Sequence, residues 1–270
     1  MAHEAQKFGG LDLEYYDSIL GPAQIESIAE DLVRRVPPKP GGDVLEIACG
    51  TGKVTKRLRA RLDPGVRIVA TDLSPAMVAY ARGKLRGEQG IEWREADAAS
   101  LPFADAAFGA VVCSLGVMFV PDKKQAFAEA RRVLREGGVF VFNTWDSLQK
   151  NPHARIAGEV MDEIFPGDPE MQFAKIPFGF HDEAVIRSLL AAHRLRELRI
   201  EKVPIPIRCE SAERYATGVV RGTPRALLIK ERGRSLDEVI SRIATALARA
   251  GGEAPFQMQG RVIAVEAQAV

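Results

Sequence analysis

The sequence predicts an α/β fold with a mostly parallel sheet covered by helices on both faces, and three observations support it. First, between Asp43 and Asn143 short β-branched runs (DVLEIA, VRIVATD, IEWREAD, FGAVVCSL, GGVFVFNT) alternate with stretches whose apolar residues recur at helical spacing. Strand–helix–strand repetition of this kind specifies right-handed crossovers and parallel pairing. Second, the runs are almost continuously apolar, as strands buried on both faces must be. Third, 270 residues with 46% hydrophobic and 27% charged side chains are enough to bury a large core.

Element by element, the first ~35 residues read as helical, and the prolines and glycines of 37–42 mark the entry to the sheet. Val54, Leu58 and Leu62 form the stripe of the first crossover helix. Phe127, Ala130 and Leu134 form that of the fourth, and Gly137-Gly138 is expected to end it. Between them, the run from Ala106 to Val120 holds no charge or proline, yet is shorter than the ~20 residues a membrane span needs. It reads as a buried strand with its exit loop. After Trp145 the pattern loosens: residues 146–180 carry prolines, glycines and His153, with His181 next to them, around a short helix near Ile156–Ile164. A helix starts at Asp182, and a strand follows over Leu195–Ile207. Pro204 and Pro206 are expected to stop its pairing near Val203. Residues 211–250 return to helix, with Leu236, Val239, Ile240, Ile243 and Leu247 on one stripe, and GRVIAVEAQAV closes the chain as a strand.

Charge narrows the partners. Thirty-seven basic against 36 acidic residues leave a formal charge of +1, with no global pull toward nucleic acid or an anionic membrane. The basic clusters at 34–35, 56–61 and 225–234 alternate with apolar stripes and read as solvated faces. The N-terminus, MAHEAQKFGGLDLEYY, lacks an apolar stretch of signal-peptide type. Cys49, Cys113 and Cys209 are far apart, with no Cys-x-x-Cys or nearby histidine, so neither a disulfide framework nor a metal site is expected, and the expected location is cytoplasmic.

The residues that carry chemistry start with VLEIACGTG, Val44 to Gly52, at a strand-to-helix turn. Glycines there let a ligand approach the backbone at the positive end of a helix. Three nucleotide-type loops compete. A phosphate-binding Walker loop needs Gly-Lys-Ser/Thr, but Gly52-Lys53 is followed by Val54 and Ile47 stands where its first glycine belongs. A dinucleotide Gly-x-Gly-x-x-Gly begun at Gly50 meets Thr55 in third place. The remaining option is the S-adenosylmethionine loop, Glu/Asp-x-Gly-x-Gly-x-Gly. Asp72 ends the second strand, where a carboxylate can accept from both hydroxyls of a ribose. Asp97 follows the third strand in READAASLPF, placed to accept from an adenine amine, with the N–H of Ala98 beside it. Ser114 ends the fourth strand near the topological switch point, at the carboxyl ends where open α/β sheets bind ligands.

With VATDLSPAMVAYAR, EADAASLPFADAAFGAVVCS and EARRVLREGGVFVFNTW added to VLEIACGTG, the stretch from about Asp43 to Thr144 resembles class I S-adenosylmethionine-dependent methyltransferases of the small-molecule type, similar in pattern to the ubiquinone/menaquinone-biosynthesis enzymes. The resemblance implies a Rossmann-like seven-stranded sheet, mostly parallel, with the last strand antiparallel between the fifth and sixth. A helical cap would lie over the carboxyl ends of the strands. It implies a single domain over 1–270, a cofactor-binding core over 37–145, and a substrate cap built from 1–35, 146–180 and 208–255. Glu46, Ala48, Gly50, Thr51 and Gly52 would hold the methionine half of the cofactor. Asp72 would hold the ribose, Leu73 and Met77 would pack beside the adenosine, and Asp97 and Ala98 would hold the adenine. Two departures matter. Ala48 replaces the family's first glycine, which is tolerable if its φ is negative. The substrate signatures of the quinone enzymes are absent: YYDSILGP keeps only a Tyr-Asp pair, and CSLGVMFV lacks their polar residues.

Each residue also has a plainer role. Gly50 and Gly52 could make only a tight turn, Asp97 could cap the next turn of chain, and Met77 could be core. Cys49 reads as a small packing side chain, and His193 as structural. Tyr15 and Tyr16 either close over the cofactor from an N-terminal helix or pack in its core. Trp145, His153 and His181 are the substrate-side candidates, the histidines as general bases. The fourth-strand exit lacks Asn/Asp-Pro-Pro-Tyr/Phe, which argues against an extruded nucleobase as substrate. The expectation is methyl transfer from S-adenosylmethionine to a small organic acceptor. The alternatives are an NAD-dependent oxidoreductase, which shares the glycine loop and Asp72 but would have to tolerate Ala48 and Thr55, and a non-catalytic S-adenosylmethionine-binding protein.

Overall fold

The computed structural model describes residues 12–172 and 175–270. Residues 1–11 and 173–174, parts of the expected cap segments, lie outside the described range. By their contacts the described residues divide into two compact units, 28–145, 180–203 and 262–270 forming one, and 12–27, 146–172, 175–179 and 204–261 the other.

The first unit holds most of the sheet. Its strands are β1 (Asp43–Ile47), β2 (Ile68–Asp72), β3 (Ile91–Glu95), β4 (Phe108–Ser114), β5 (Leu134–Trp145), β6 (Leu195–Cys209) and β7 (Phe256–Ala269), in the order β3-β2-β1-β4-β5-β7-β6. β1 pairs in parallel with β2 and β4, β2 with β3, and β4 with β5, whereas β7 runs antiparallel to β5. The last strand thus lies between the fifth and sixth, as expected. The helices of this unit are α1 (Glu26–Arg34), α2 (Lys53–Arg61), α3 (Pro75–Lys84), α4 (Lys123–Val133) and α6 (Glu183–Ala192), and α5 (Pro152–Ile164) belongs to the other. Two of the crossover helices start on a side-chain cap. Ser74 caps α3 ahead of Pro75, and Asp122 caps α4 by accepting the Gln125 N–H at 3.0 Å.

One face of the sheet buries Val44, Ala110, Val112 and Val141 against Ala29, Leu32 and Val33 of α1 and Val54 and Leu58 of α2. Burying a leucine or valine side chain of this kind stabilises by roughly 1.5–3 kcal/mol. Arg35 follows α1, nearly buried, and joins Asp31, Glu201 and Glu266, the latter two at 2.9 Å, tying the helix to β6 and β7.

Three local expectations need correction. The helix expected as the fourth crossover is the third, since none lies between β3 and β4; it ends at Val133, and Leu134 already has extended backbone (ψ 132°), so Gly137 and Gly138 fall inside β5. They coincide with a register shift between Phe108↔Leu134 and Ala110↔Val139, with Gly137 at φ +74°. The glycine pair builds a bulge and does not cap a helix. Second, β6 does not stop near Val203 but continues to Cys209. It is an edge strand, and Pro204 and Pro206 share one parity, so both missing N–H groups point the same way, an arrangement that an edge strand tolerates. Ile205 between them and Ile207 after them are buried. Third, Trp145 is the last residue of β5, paired with Val262, and does not follow the strand.

The second unit is mainly helical. A turn at Leu13–Tyr15 leads into a π-helical stretch, Tyr16–Ile25, that contains Pro22, and the wider register accommodates a residue with no N–H to give. α5 is followed by α7 (Ala212–Arg221), α8 (Arg225–Glu231) and α9 (Leu236–Gly251). The five-residue stripe expected on α9 is buried throughout. Tyr215 is fully buried: its hydroxyl donates to Gln24 Oε1 at 2.8 Å, and its ring lies 5.0 Å from Phe256. Asn151, ahead of α5, donates to the carbonyls of Asp146, Ser147 and Arg261 and accepts the Arg261 N–H at 2.9 Å.

Candidate functional site

β1 ends where a short loop turns the chain into α2. Gly50 (φ +54°) and Gly52 (φ +82°) both need left-handed backbone. A Cβ on Gly50 would meet nothing within 4 Å, so a ligand can approach the backbone there. A Cβ on Gly52 would instead press on Leu85 and Ala81 at 3.1 and 3.2 Å, so that glycine also lets α2 and α3 pack closely. Ala48 departs from the expectation, because its φ is +56°, not negative. An L-residue in this region carries about 1 kcal/mol or more of strain. Its methyl is seated against the β4 exit, where a Cβ added to Gly116 would lie 2.5 Å from the Ala48 Cβ and 2.7 Å from Cys113 Sγ.

Asp72 joins two loops. Its Oδ2 accepts the Gly50 N–H and its Oδ1 the Ser74 N–H, both at 2.9 Å. Each oxygen keeps a lone pair, enough for two hydroxyls of a ribose. Burial raises its pKa, and the N–H groups of Ser74, Gly50 and Leu73 oppose the rise. Glu46, two residues before the loop, is 1% exposed, and its Oε2 has no hydrogen-bond partner. Burial pushes its carboxyl up to about 8; the Thr55 hydroxyl and amide oppose this and the neighbouring Asp72 charge adds to it. Burial likewise raises the thiols of Cys49 and Cys113, the latter to about 12, so both are protonated, poor nucleophiles at neutral pH.

The strand register places Glu46, Asp72, Ser114 and Asn143 on one face of the sheet near its carboxyl end, since Glu46 aligns with Ala70 and Val112, and Ser114 with Asn143. Sequence reasoning missed Asn143. It is fully buried, and its Oδ1 accepts the Leu115 N–H at 2.8 Å and the Ser114 hydroxyl at 3.3 Å. The amide thereby holds the β4 exit, where Leu115 itself has φ +51°. The available signal was a polar residue directly after the apolar run Val139–Phe142.

The remaining candidates separate. Leu73 is 45% exposed beside Asp72, whereas Met77 is 7% exposed, in the first turn of α3. Thr51 is buried. Asp97 forms an Asx-type turn, its Oδ1 accepting the Ala99 N–H at 2.8 Å, with Ala98 half-buried next to it. Trp145 is buried and His181 is exposed, ahead of α6. His153 belongs to the helical unit's core. It is 3% exposed, its ring lies 6.2 Å from Tyr215 and 6.4 Å from Phe178, and burial lowers its pKa to about 3. Such a group is neutral at physiological pH and a weak base. His193 ends α6 with Nδ1 2.7 Å from the Leu189 carbonyl. Tyr16, half-buried, opens the π-helical stretch, and a Cβ on Gly222 would strike its backbone at 2.8 Å. Among the described residues no cluster of side chains is suited to a metal ion, and no helix is long and apolar enough to cross a membrane.

An orphaned buried carboxyl, an open glycine and a two-loop aspartate fit a ligand carrying a cationic group and a vicinal diol. Residues 45–142 match the family model described as "Methyltransferase domain". The demethylmenaquinone methyltransferase of Lactobacillus johnsonii is 28% identical over 169 residues, 61% of this chain and 68% of that protein. The ubiquinone/menaquinone biosynthesis C-methyltransferase of Hahella chejuensis is 38% identical over 103 residues, 37% of this chain and 41% of that protein. The chain therefore spans less than half of this second relative. The fold is shared with the geranyl diphosphate C-methyltransferase of Streptomyces coelicolor A3(2), solved with Mg2+, geranyl diphosphate and S-adenosyl-L-homocysteine. That structure gives a TM-score of 0.53 at 17% identity, covering 90% of this chain and 76% of the other.

Proposed function

Residues 45–142 being a methyltransferase domain of the S-adenosylmethionine-dependent type, we propose that the chain methylates a small organic acceptor. The observation that carries the reading is the Asp72 carboxylate holding the Gly50 and Ser74 N–H groups at 2.9 Å beside the open Gly50 backbone. The cofactor, when bound, supplies a methyl group on a positively charged sulfur, activated without help. The chain's residues have to bind, align and exclude water, which by itself is worth several kcal/mol.

In this reading Asp72 orients the ribose through its two free lone pairs. Leu73 and Met77 flank the adenosine, and Asp97 and Ala98 receive the adenine edge. Glu46 and the 48–52 loop take the methionine end. Ser114 and Asn143 shape the β4 exit. Cofactor binding falls to residues 37–145 and acceptor recognition to segments 1–35, 146–180 and 208–255, within one functional domain. No general base is assigned: an acceptor atom of low pKa needs none, and His153 is held neutral. A cytoplasmic setting is part of the proposal, supported by the three free thiols. The menaquinone and ubiquinone substrates are those of the relatives.

The test is calorimetric titration with S-adenosylmethionine, S-adenosylhomocysteine and NADH, followed by turnover against a panel of phenols, amines, thiols and carboxylic acids. Micromolar binding of the first two ligands without NADH is expected. NADH binding alone would overturn the reading, and cofactor binding without turnover on any acceptor would leave a non-catalytic binding protein.

A further inference from the structure

Glu46 stands apart among the site's polar groups because the fold buries it without an opposing charge. It is 1% exposed, its Oε2 has no partner, and no lysine or arginine pairs with it among the described residues. The elements around it offer none. α1 presents Ala29, Leu32 and Val33 to this face of the sheet, α2 presents Val54, Thr55 and Leu58, and β4 presents Val112. The titratable groups that bear on Glu46 are Asp72 on β2, Cys49 in the loop and Cys113 on β4; all lose a proton to become negative, so none offsets a second negative charge. A carboxyl in such a place keeps its proton near neutrality. S-adenosylmethionine carries a net positive charge and S-adenosylhomocysteine does not.

We infer that Glu46 gives up its proton as the cationic cofactor binds and takes one back once the charge on sulfur is gone, so that the same carboxyl favours the loaded cofactor and weakens hold on the spent one. The inference rests on the cofactor site proposed above. The proton goes to solvent on binding and is recovered from solvent after transfer, so charge balances with no further reactant. Burial makes the effect long-ranged in the local medium, and direct contact between Glu46 and the ligand is not required.

The experiment is calorimetry of the full chain with S-adenosylmethionine and S-adenosylhomocysteine, in buffers of low and high ionisation enthalpy, from pH 6 to 7.5. With the free carboxyl titrating at about 8, binding of S-adenosylmethionine is expected to release close to one proton at pH 7. Its affinity should rise several-fold, up to about twenty-fold, across the window. S-adenosylhomocysteine should show less than a third of both effects. Glu46→Gln keeps the shape and removes the proton, so it should bind with no proton release and with similar affinity for the two ligands. Release that persists in Glu46→Gln would assign the proton elsewhere and overturn the inference. So would a wild-type affinity constant within two-fold from pH 6 to 7.5. Failure of either ligand to bind at any pH would defeat the cofactor reading itself, a distinguishable result.

Discussion

Gly50 donates its N–H to Asp72 Oδ2 at 2.9 Å, across a sequence separation that makes the β1–α2 loop and the end of β2 one piece. The other carboxylate oxygen is committed to Ser74, the residue that caps α3. Asp72 is therefore the fastener of two loops as well as the group proposed to hold the ribose. Asp72→Ala removes an ionised acceptor from two backbone donors and two ribose hydroxyls, each such bond worth about 1.5–3 kcal/mol. Affinity for S-adenosylhomocysteine should fall ten-fold or more by calorimetry; an unchanged dissociation constant would remove Asp72 from the site.

Ala48 at φ +56° predicts an order of stability. Ala48→Gly relieves the left-handed strain, partly offset by the greater freedom of glycine in the unfolded chain, for a gain of about 0.5–1 kcal/mol. Ala48→Val adds a branched side chain in the same backbone against Gly116 and should cost about 2 kcal/mol or more. Chemical denaturation checks the order Gly above Ala above Val, and a valine variant as stable as wild type would contradict the geometry.

His153 makes stability depend on pH. Its folded pKa, about 3, lies below the ordinary 6.5, so between these values the unfolded chain binds the proton and the folded chain does not. Stability should rise with pH through that window and level off above about 6.5, with a slope of at most ~1.4 kcal/mol per unit. His153→Leu removes this contribution. Urea unfolding of both proteins at pH 4.5, 5.5 and 7 measures it, and parallel pH profiles would refute the assignment.

Asn143 predicts a local effect. With Asn143→Leu the Leu115 N–H loses its 2.8 Å acceptor, at a cost of about 1–3 kcal/mol. Hydrogen exchange should speed up at residues 115–119 while the middle of β4 stays protected. Equal protection in both proteins would mean that the amide does not hold the exit.

Much of this was legible in the sequence because the signals were redundant. The helices at 53–61 and 123–133 carried apolar stripes, and β1, β2 and β4 nearly continuous apolar runs. The glycine loop and Asp72 also came after the strand ends at the intervals that an α/β ligand site requires. Misreadings arose where one residue type serves two geometries. Gly137-Gly138 terminates helices and builds bulges equally well, and only pairing with β4 decides. Pro204 and Pro206 exclude a central strand but not an edge one, and edge status depends on β7, the last strand in the chain. His153 is a plausible base by type and a core residue by burial, and burial comes from Phe178, Tyr215 and Gly260, all distant in sequence. The φ of Ala48 was inaccessible for the same reason: the turn is fixed by the Asp72 anchor.

The seat of the Ala48 methyl against Gly116 constrains the order in which this chain can change. A side chain at 116 would collide with Ala48 at 2.5 Å, so no residue larger than glycine is tolerated there while alanine remains at 48. Once position 48 becomes glycine that obstacle goes, leaving Cys113 Sγ at 2.7 Å as the nearest neighbour to yield. Positions 48, 113 and 116 are therefore coupled, and a side chain at 116 needs both glycine at 48 and a displaced Cys113.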